Sequence, residues 1–188
     1  VMDKFLETVK CFWLEKYLWH KRNLYKIHVI AELMYATGLR ISEVAHLEAA
    51  DINIDERIVT VKRGKGGKDR KAYLTEYAAK VLQIYICEMR KYINYNKKSN
   101  KLFGVKDGRN LDAALNGWLK KTGKKVGIKR FTSHTFRHAL GFHLLRRGCG
   151  LRFIQLILGH EEISSTSIYT KVEKTDLRNE LDTYHPRK

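Results

Sequence analysis

Residues 133–138 read Ser-His-Thr-Phe-Arg-His, residues 158–160 read Leu-Gly-His, and a tyrosine follows at position 169. These stretches decide how the chain is interpreted, because two histidines, an arginine and a phenol can together hold and attack a phosphodiester. Upstream, residues 37–43 read Thr-Gly-Leu-Arg-Ile-Ser-Glu and residues 64–68 read Gly-Lys-Gly-Gly-Lys, which add an arginine and a lysine. Five basic groups and one phenol predict a DNA-cleaving site that uses no metal.

The order of these groups along the chain resembles that of the tyrosine recombinases, from about Tyr35 to the end. The local sequence is most similar to the Xer-type recombinases and to the integrases of mobile elements. Each matching stretch is weak alone, and the signal comes from all of them in order. The stretches are Tyr35-Ala36-Thr37-Gly38-Leu39-Arg40, Gly64-Lys65-Gly66, His134-Thr135-Phe136-Arg137, Leu158-Gly159-His160, Ile168-Tyr169-Thr170 and His185-Pro186-Arg187.

The resemblance implies a mainly α-helical catalytic domain with a small three-stranded antiparallel β-sheet, the fold of the DNA breaking-rejoining enzymes. We expect residues 1–188 to form this single domain. The family usually carries a further N-terminal helical domain that completes a clamp around DNA. With about 39 residues before Arg40, that domain is expected to be absent or trimmed away.

The resemblance also implies a role for each site residue. Tyr169 is the nucleophile that becomes linked to the 3′ phosphate, His134 is the general base, and Lys65 is the general acid for the departing 5′ oxygen. His160 stabilises the transition state. Lys62 and Lys68 lie close enough in sequence to be confused with Lys65, which is favoured because it follows the first glycine of the turn.

Arg40 and Arg137 suit the non-bridging phosphate oxygens, because a guanidinium donates paired hydrogen bonds where a lysine ammonium cannot. Glu43 is expected to partner Arg40, although a solvated carboxylate on a helix face is also credible. His138 is placed beside the site and, with His143, is expected to be a buried structural histidine. No acidic or thiolate ligand accompanies the histidines, so no metal and no cofactor are predicted.

Charge and composition agree with a nucleic-acid partner. The chain of 188 residues carries a net charge of +17 with a pI of about 9.8, and such a field favours polyanions. Double-stranded DNA is therefore the expected partner, although for any single cation a solvated charged face is an equally good account. The cations that include many expected backbone contacts are Lys97, Lys98, Lys101, Lys106, Arg109, Lys120, Lys121, Lys124, Lys125, Lys129 and Arg130.

The cysteines and the hydropathy indicate where the chain works. Cys11, Cys87 and Cys149 are odd in number and far apart, which predicts reduced thiols rather than a disulfide framework. No apolar run approaches a membrane span, so no membrane partner is expected. We therefore expect a cytoplasmic protein that joins the nucleoid when bound to DNA.

Periodicity predicts the elements around the site. Two amphipathic helices are expected between Asp3 and Ala36, with Gly38 ending the second and Ser42 opening a short helix. Elements expected beyond these are strands at 52–54, 57–61 and 71–74, a helix at 75–93 capped by Thr75, a loop at 94–110, a helix over 111–119 with a basic exit at 123–129, a helix capped by Ser133 and stopped by Gly148, a helix at 153–158 ended by Gly159, a segment at 164–170 that presents Tyr169, and a last helix at 175–181.

Two other functions remain open from the sequence. A type IB topoisomerase shares the chemistry but relaxes supercoils, and a non-catalytic DNA-binding module shares only the fold. Recombinases of this type act as tetramers through a Holliday junction and exchange C-terminal segments. Residues 175–188 are therefore a possible contact between protomers, with Leu177 and Leu181 docking either on a neighbour or on the chain's own core. The target sequence, the regulatory partners and the choice between chromosome-dimer resolution and element movement are not readable from the sequence.

Overall fold

The computed structural model describes residues 19–62, 69–90, 100–104, 108–125, 127, 130–159 and 174–187. Its helices are α1 (Trp19–Thr37), α2 (Ile41–His46), α3 (Glu76–Ile84), α4 (Gly108–Lys125), α5 (Ser133–Arg146), α6 (Leu151–Leu158) and α7 (Lys174–Tyr184). Strands β1 (Ile52–Asn53), β2 (Ile58–Val61) and β3 (Arg70–Tyr73) form one antiparallel sheet in the order β1-β2-β3. The predicted mainly helical fold with a three-stranded sheet is confirmed.

Helix α1 runs through the core and leads directly into the loop that carries Arg40. Val29, Ile30 and Leu33 are all fully buried, as expected for a helix that is covered on several sides. It packs against α3, α5 and β3. The helix ends before Gly38, which adopts the left-handed φ of 66° that a residue with a Cβ avoids. This stop was predicted, whereas the first of the two helices expected before Ala36 lies outside the described residues.

The sheet lies close to its predicted position, with shifts of about one residue at the strand ends. Val59 pairs with Ala72 and Val61 pairs with Arg70, so Arg70 is the first residue of β3 and faces the end of β2. Ile58, Val59 and Val61 are buried. The tip of this hairpin, including Lys65, lies outside the described residues.

Helix α3 begins as predicted, because the Ala78 N–H donates a hydrogen bond of 3.2 Å to the Thr75 hydroxyl. It continues as a π-helical turn over Tyr85–Met89. The prediction of a loop over 94–110 is wrong at Gly108, where α4 already begins. Leu102 and Phe103 are core residues, with the Tyr85 hydroxyl donating to the Leu102 carbonyl at 3.3 Å. A lone apolar pair in a polar stretch gave no periodicity that could reveal this.

Helices α5 and α6 form the arm that carries the arginine and leads to the Leu-Gly-His stretch. Gly148 and Gly159 follow the two helices with φ of 95° and 68°, which confirms both predicted stops. The predicted cap of α5 is wrong: Thr132 occupies the N-cap, and Ser133 is the first helical residue. The Ser133 hydroxyl instead donates a hydrogen bond to Asp112 of α4.

The C-terminal helix α7 packs on the chain's own core, against α5, α6 and β3. It is longer than the predicted 175–181, and Leu181 is fully buried. The Arg57 guanidinium fixes it through two hydrogen bonds to Asp182, of 3.0 and 2.6 Å. Beyond the helix, His185 Nε2 lies 3.2 Å from the Tyr35 carbonyl oxygen. The tail is thus held in cis by helix α1 as well as by the sheet.

Within the described part of the chain, no helix is both long and apolar enough to cross a membrane. Cys87 and Cys149, the cysteines that the structure describes, are free thiols.

Candidate DNA-cleaving site

Arg40 stands at a fixed point of the backbone between α1 and α2. Gly38 closes the preceding turn through a 2.9 Å hydrogen bond from its N–H to the Met34 carbonyl. Arg40 is the N-cap of α2, and its N–H donates to the Glu43 carboxylate at 2.7 Å. The helix therefore begins at Ile41 and is capped by Glu43, whereas the sequence suggested an opening at Ser42. A carboxylate in this place satisfies an orphan backbone donor and complements the helix dipole.

The Glu43 carboxylate is the hub of the site. Its side chain is 8% exposed and pairs with two guanidiniums, Arg40 Nη1 at 3.6 Å and Arg70 Nη2 at 3.0 Å. Arg70 Nη2 also lies 3.2 Å from the second carboxylate oxygen. Sequence reasoning placed Glu43 beside Arg40 and missed Arg70 altogether. An arginine at the start of a strand gives no signal of its own, because such side chains are usually solvated.

Arg137 reaches the same place from α5. Its Nη1 donates a hydrogen bond of 2.7 Å to the Gly38 carbonyl, two residues before Arg40. Its Nη2 is buried and has no hydrogen-bond partner among the described residues. Burial, together with the positive charges of Arg40 and Arg70, lowers the pKa of Arg137 to about 10, while Glu43 acts in the opposite direction. A buried donor of this kind is costly unless an anion accepts from it.

The first turn of α5 presents His134 and is clamped by α4. The Ser133 hydroxyl donates to Asp112 at 2.6 Å, and the Ser133 N–H donates to the Asn116 side-chain oxygen at 2.8 Å. His134 is exposed and precedes Arg137 by three residues, so the two lie on neighbouring positions of one helix face. The clamp residues Asp112 and Asn116 were not anticipated, since a polar pair at helical spacing ordinarily indicates a solvated face.

The other two histidines of α5 differ from one another. His143 is structural as expected, because its Nδ1 lies 2.6 Å from the Tyr35 hydroxyl. His138, expected to be buried, is exposed one turn after His134. The difference arises because the apolar stripe of α5 runs through Phe136, Leu140 and Leu144 and leaves position 138 outside it.

Two glycines allow the arms of the site to touch. A Cβ at Gly38 would lie 2.7 Å from Leu158 Cδ2, so the end of α6 packs directly on the loop that carries Arg40. A Cβ at Gly159 would lie 3.0 Å from both Nε and Cζ of Arg70. The end of α6 therefore meets the arginine cluster through Leu158 and Gly159. His160, Tyr169 and Lys65 lie outside the described residues.

A cleft of about 660 Å³ opens beside Arg40 and Glu43. Two lysines that line it are paired, Lys62 with Asp51 at 2.6 Å and Lys101 with Glu48 at 3.4 Å. Among the described residues, no group of three His, Cys, Asp or Glu side chains is arranged to hold a metal ion. Arg40, Arg70 and Arg137 form a cluster of guanidiniums around the Glu43 carboxylate.

Comparison with known proteins gives a consistent picture. The sequence profile of the phage integrase family matches residues 15–176. The tyrosine recombinase XerD of Staphylococcus aureus is 38% identical over 170 residues, which cover 89% of this chain and 57% of that protein. The chain thus spans a little over half the length of the curated relatives it matches.

Solved structures share the fold. The crystal structure of the XerA recombinase matches with a TM-score of 0.67 at 26% identity, over 100% of this chain and 62% of that one. The XerH site-specific recombinase, solved bound to its difH substrate before cleavage, matches with a TM-score of 0.67 at 21% identity, over 86% of this chain and 45% of that one. At this identity the likeness to XerH is one of fold.

Proposed function

This chain belongs to the phage integrase family of tyrosine recombinases, and we propose that it cleaves and rejoins double-stranded DNA at specific sites. The observation that carries the proposal is the meeting of Arg40 and Arg137 around the Gly38 loop, with Arg137 Nη2 buried and left without a partner among the described residues. A phosphodiester supplies the anion that such a donor lacks. The complex of the XerH relative with its own DNA substrate supports a duplex as the ligand.

In the proposed reaction the Tyr169 oxygen attacks the phosphorus and gives its proton to His134. The bond from phosphorus to the 5′ oxygen breaks, and that oxygen takes a proton from Lys65. The products are a 3′-phosphotyrosine and a free 5′ hydroxyl. The covalent bond conserves the energy of the broken one, so that the 5′ hydroxyl of a second strand can reverse the step and create a Holliday junction.

In this proposal, charge stabilisation is the task of the two arginines that the structure describes. The attack adds negative charge to the non-bridging oxygens, and in this proposal Arg40 and Arg137 donate hydrogen bonds to them. His160 would add a further hydrogen bond. Because guanidiniums neutralise the phosphate and side chains move the protons, the proposed reaction needs neither a metal nor a cofactor.

The proposal extends to the assembly. A tetramer on two duplexes is expected, with residues 175–188 as the contact between protomers. For an exchange of tails, α7 would have to leave the core site that buries Leu181 in cis. The substrate places the protein on chromosomal or mobile-element DNA in the cytoplasm.

The test is covalent capture. A pool of labelled, nicked duplexes with randomised arms is incubated with the chain, and protein-linked DNA is separated on a denaturing gel and sequenced. We expect an adduct with a preferred sequence that is absent for Tyr169→Phe. No adduct from either protein would overturn the proposal. On the captured site, Holliday junctions indicate recombination, whereas relaxation without junctions would indicate a topoisomerase. Binding of the duplex pool without any adduct would indicate a DNA-binding module.

A further inference from the structure

We propose that Arg70 is a positioning residue of the cleavage site, which orients Arg40 through the shared Glu43 carboxylate and supports the backbone at Gly159. This inference rests on the proposed function and deepens it. Arg70 is not among the groups that the chemistry of the reaction calls for. The proposal rests instead on the contacts of its side chain with Glu43 and Gly159.

The first contact is with Glu43. Arg70 Nη2 lies within 3.0 and 3.2 Å of the two carboxylate oxygens, and its side chain is only 18% exposed. The carboxylate held in this way accepts the Arg40 N–H at 2.7 Å and lies 3.6 Å from Arg40 Nη1. The Arg40 side chain is itself 32% exposed. Without Arg70, the Glu43 carboxylate would be free to rotate toward the Arg40 guanidinium and change its direction.

The second contact is with the end of α6. The Arg70 side chain passes so close to Gly159 that a Cβ there would lie 3.0 Å from Nε and Cζ and 3.1 Å from Cδ. Gly159 has a φ of 68° and is followed directly by His160. The left-handed turn at Gly159 therefore packs directly against the Arg70 side chain. One side chain thus contacts both Glu43, in the helix that follows Arg40, and the turn that precedes His160.

Charge gives a reason for an arginine in this position. Arg40, Arg70 and Arg137 with Glu43 carry a net charge of two positive units, and the positive charge of Arg70 acts on Arg137. Attack on a phosphodiester gives a pentacoordinate phosphorus whose non-bridging oxygens approach two negative charges. Arg70 thus offsets the Glu43 carboxylate, which would otherwise repel the phosphate, and leaves the two phosphate-facing arginines uncompensated.

The experiment measures single-turnover adduct formation on the captured site, with DNA affinity and thermal unfolding measured for each variant. We expect Arg70→Met to slow cleavage by about 10- to 100-fold, the loss that about 1.4 to 2.7 kcal/mol of transition-state stabilisation represents. DNA affinity should change little, because Arg70 faces Glu43. Arg70→Lys keeps the charge and should recover part of the rate. Lys80→Met removes one charge from an exposed pair with Glu76 and should leave the rate unchanged.

A double-variant cycle tests the route through Glu43. If Arg70 acts through this carboxylate, Arg70→Met should have much less effect in a Glu43→Gln background than in the wild type. A merely structural role would give losses that multiply. Lowered thermal stability without this non-additivity would overturn the inference.

Modified substrates separate charge placement from proton delivery. A methylphosphonate at the scissile position removes one negative charge and should shrink the defect of Arg70→Met. A 5′-bridging sulfur leaves readily without a general acid and should not rescue it. Rescue by sulfur alone would overturn the inference, because it would mean that Arg70 only places the hairpin lysine. Equal rates for wild type and Arg70→Met would also overturn it, whereas a wild-type chain that makes no adduct would remove the proposed function itself.

Discussion

Arg137 donates a hydrogen bond of 2.7 Å to the carbonyl oxygen of Gly38, and so joins positions that are 99 residues apart in the sequence. The residue that receives this bond lies two positions before Arg40. The Arg137 side chain therefore depends on the backbone of the loop that carries Arg40, and the Arg137 guanidinium in turn holds that loop.

Arg137→Lys should keep the charge and lose the cleavage. A lysine ammonium cannot bond the Gly38 carbonyl and also present a second, fixed donor to the phosphate. We expect single-turnover adduct formation to fall by roughly 100- to 1,000-fold, as for loss of one preorganised transition-state donor. Arg146→Lys, an exposed position on the same helix, is the matched control and should retain the wild-type rate. Equal rates for all three proteins would contradict this role.

Gly38→Ala should destabilise the fold. Its Cβ would meet Leu158 Cδ2 at 2.7 Å and Leu140 Cδ2 at 3.2 Å, and the φ of 66° is unfavourable for alanine. Together we expect a loss of about 2–4 kcal/mol in the free energy of unfolding, from left-handed strain and overpacking. Urea unfolding followed by circular dichroism measures it.

The control for that variant is another change from glycine to alanine, for which the expected effect on stability has the opposite sign. Gly117 lies on the exposed face of α4, and a Cβ there would meet nothing within 4 Å. Gly117→Ala should raise stability by about 0.5–1 kcal/mol, because alanine is the better helix former. A destabilised Gly117→Ala, or an unaffected Gly38→Ala, would show that packing at these positions differs from the structure.

Ser133→Ala tests the clamp at the start of α5. It removes the 2.6 Å bond to Asp112 and should cost about 1–2 kcal/mol of stability. Because His134 is the next residue, cleavage should also slow by roughly tenfold through misplacement. Thr75→Ala removes the cap of α3 at a similar cost of about 1 kcal/mol, away from the arginines. Similar rate losses for both variants would indicate a general stability effect.

The lowered pKa of Arg137 predicts a pH dependence of stability. Because burial among other guanidiniums lowers its pKa to about 10 in the folded state, the folded protein loses this proton at a lower pH than the unfolded chain does. The resulting gain in the free energy of unfolding is absent below the folded pKa and grows as pH rises through about 10 toward the pKa of the unfolded chain. The free energy of unfolding of the wild type minus that of Arg137→Gln should thus be flat from about pH 7 to pH 9 and rise above about pH 10. Urea titrations measure the difference, and curves that stay parallel to about pH 11 would contradict the expectation.

Local sequence signals predicted the helix ends, the strands and the helix cap, which depend on the local backbone. Gly38, Gly148 and Gly159 marked real helix ends because a left-handed residue is needed there, and the alternation of β2 and β3 gave the sheet to within about a residue. The Thr75 cap followed from a hydroxyl before an apolar run. The motif order predicted that Arg40 and Arg137 belong together, and the structure brings them to one loop.

Features that depend on tertiary contacts could not be predicted from the sequence. Ser133 looked like a cap because caps and buried hydrogen-bond donors use the same side chain, and only the packing of α4 shows that its hydroxyl serves Asp112. Arg70 gave no signal, because its importance comes from neighbours 27 and 89 positions away, Glu43 and Gly159. His138 was misplaced since a single histidine on a helix does not reveal which face is covered.

The hydrogen bond from Arg137 to the Gly38 carbonyl also has a consequence for the nascent chain. Arg40 leaves the ribosome roughly a hundred residues before Arg137, and a contact of such sequence separation forms only after long loops have closed. A partly synthesised or partly unfolded chain therefore carries the individual cations without the assembled cluster. Under the proposed function, such a chain would adhere to nucleic acid through charge and would gain strand cleavage only with the completed topology.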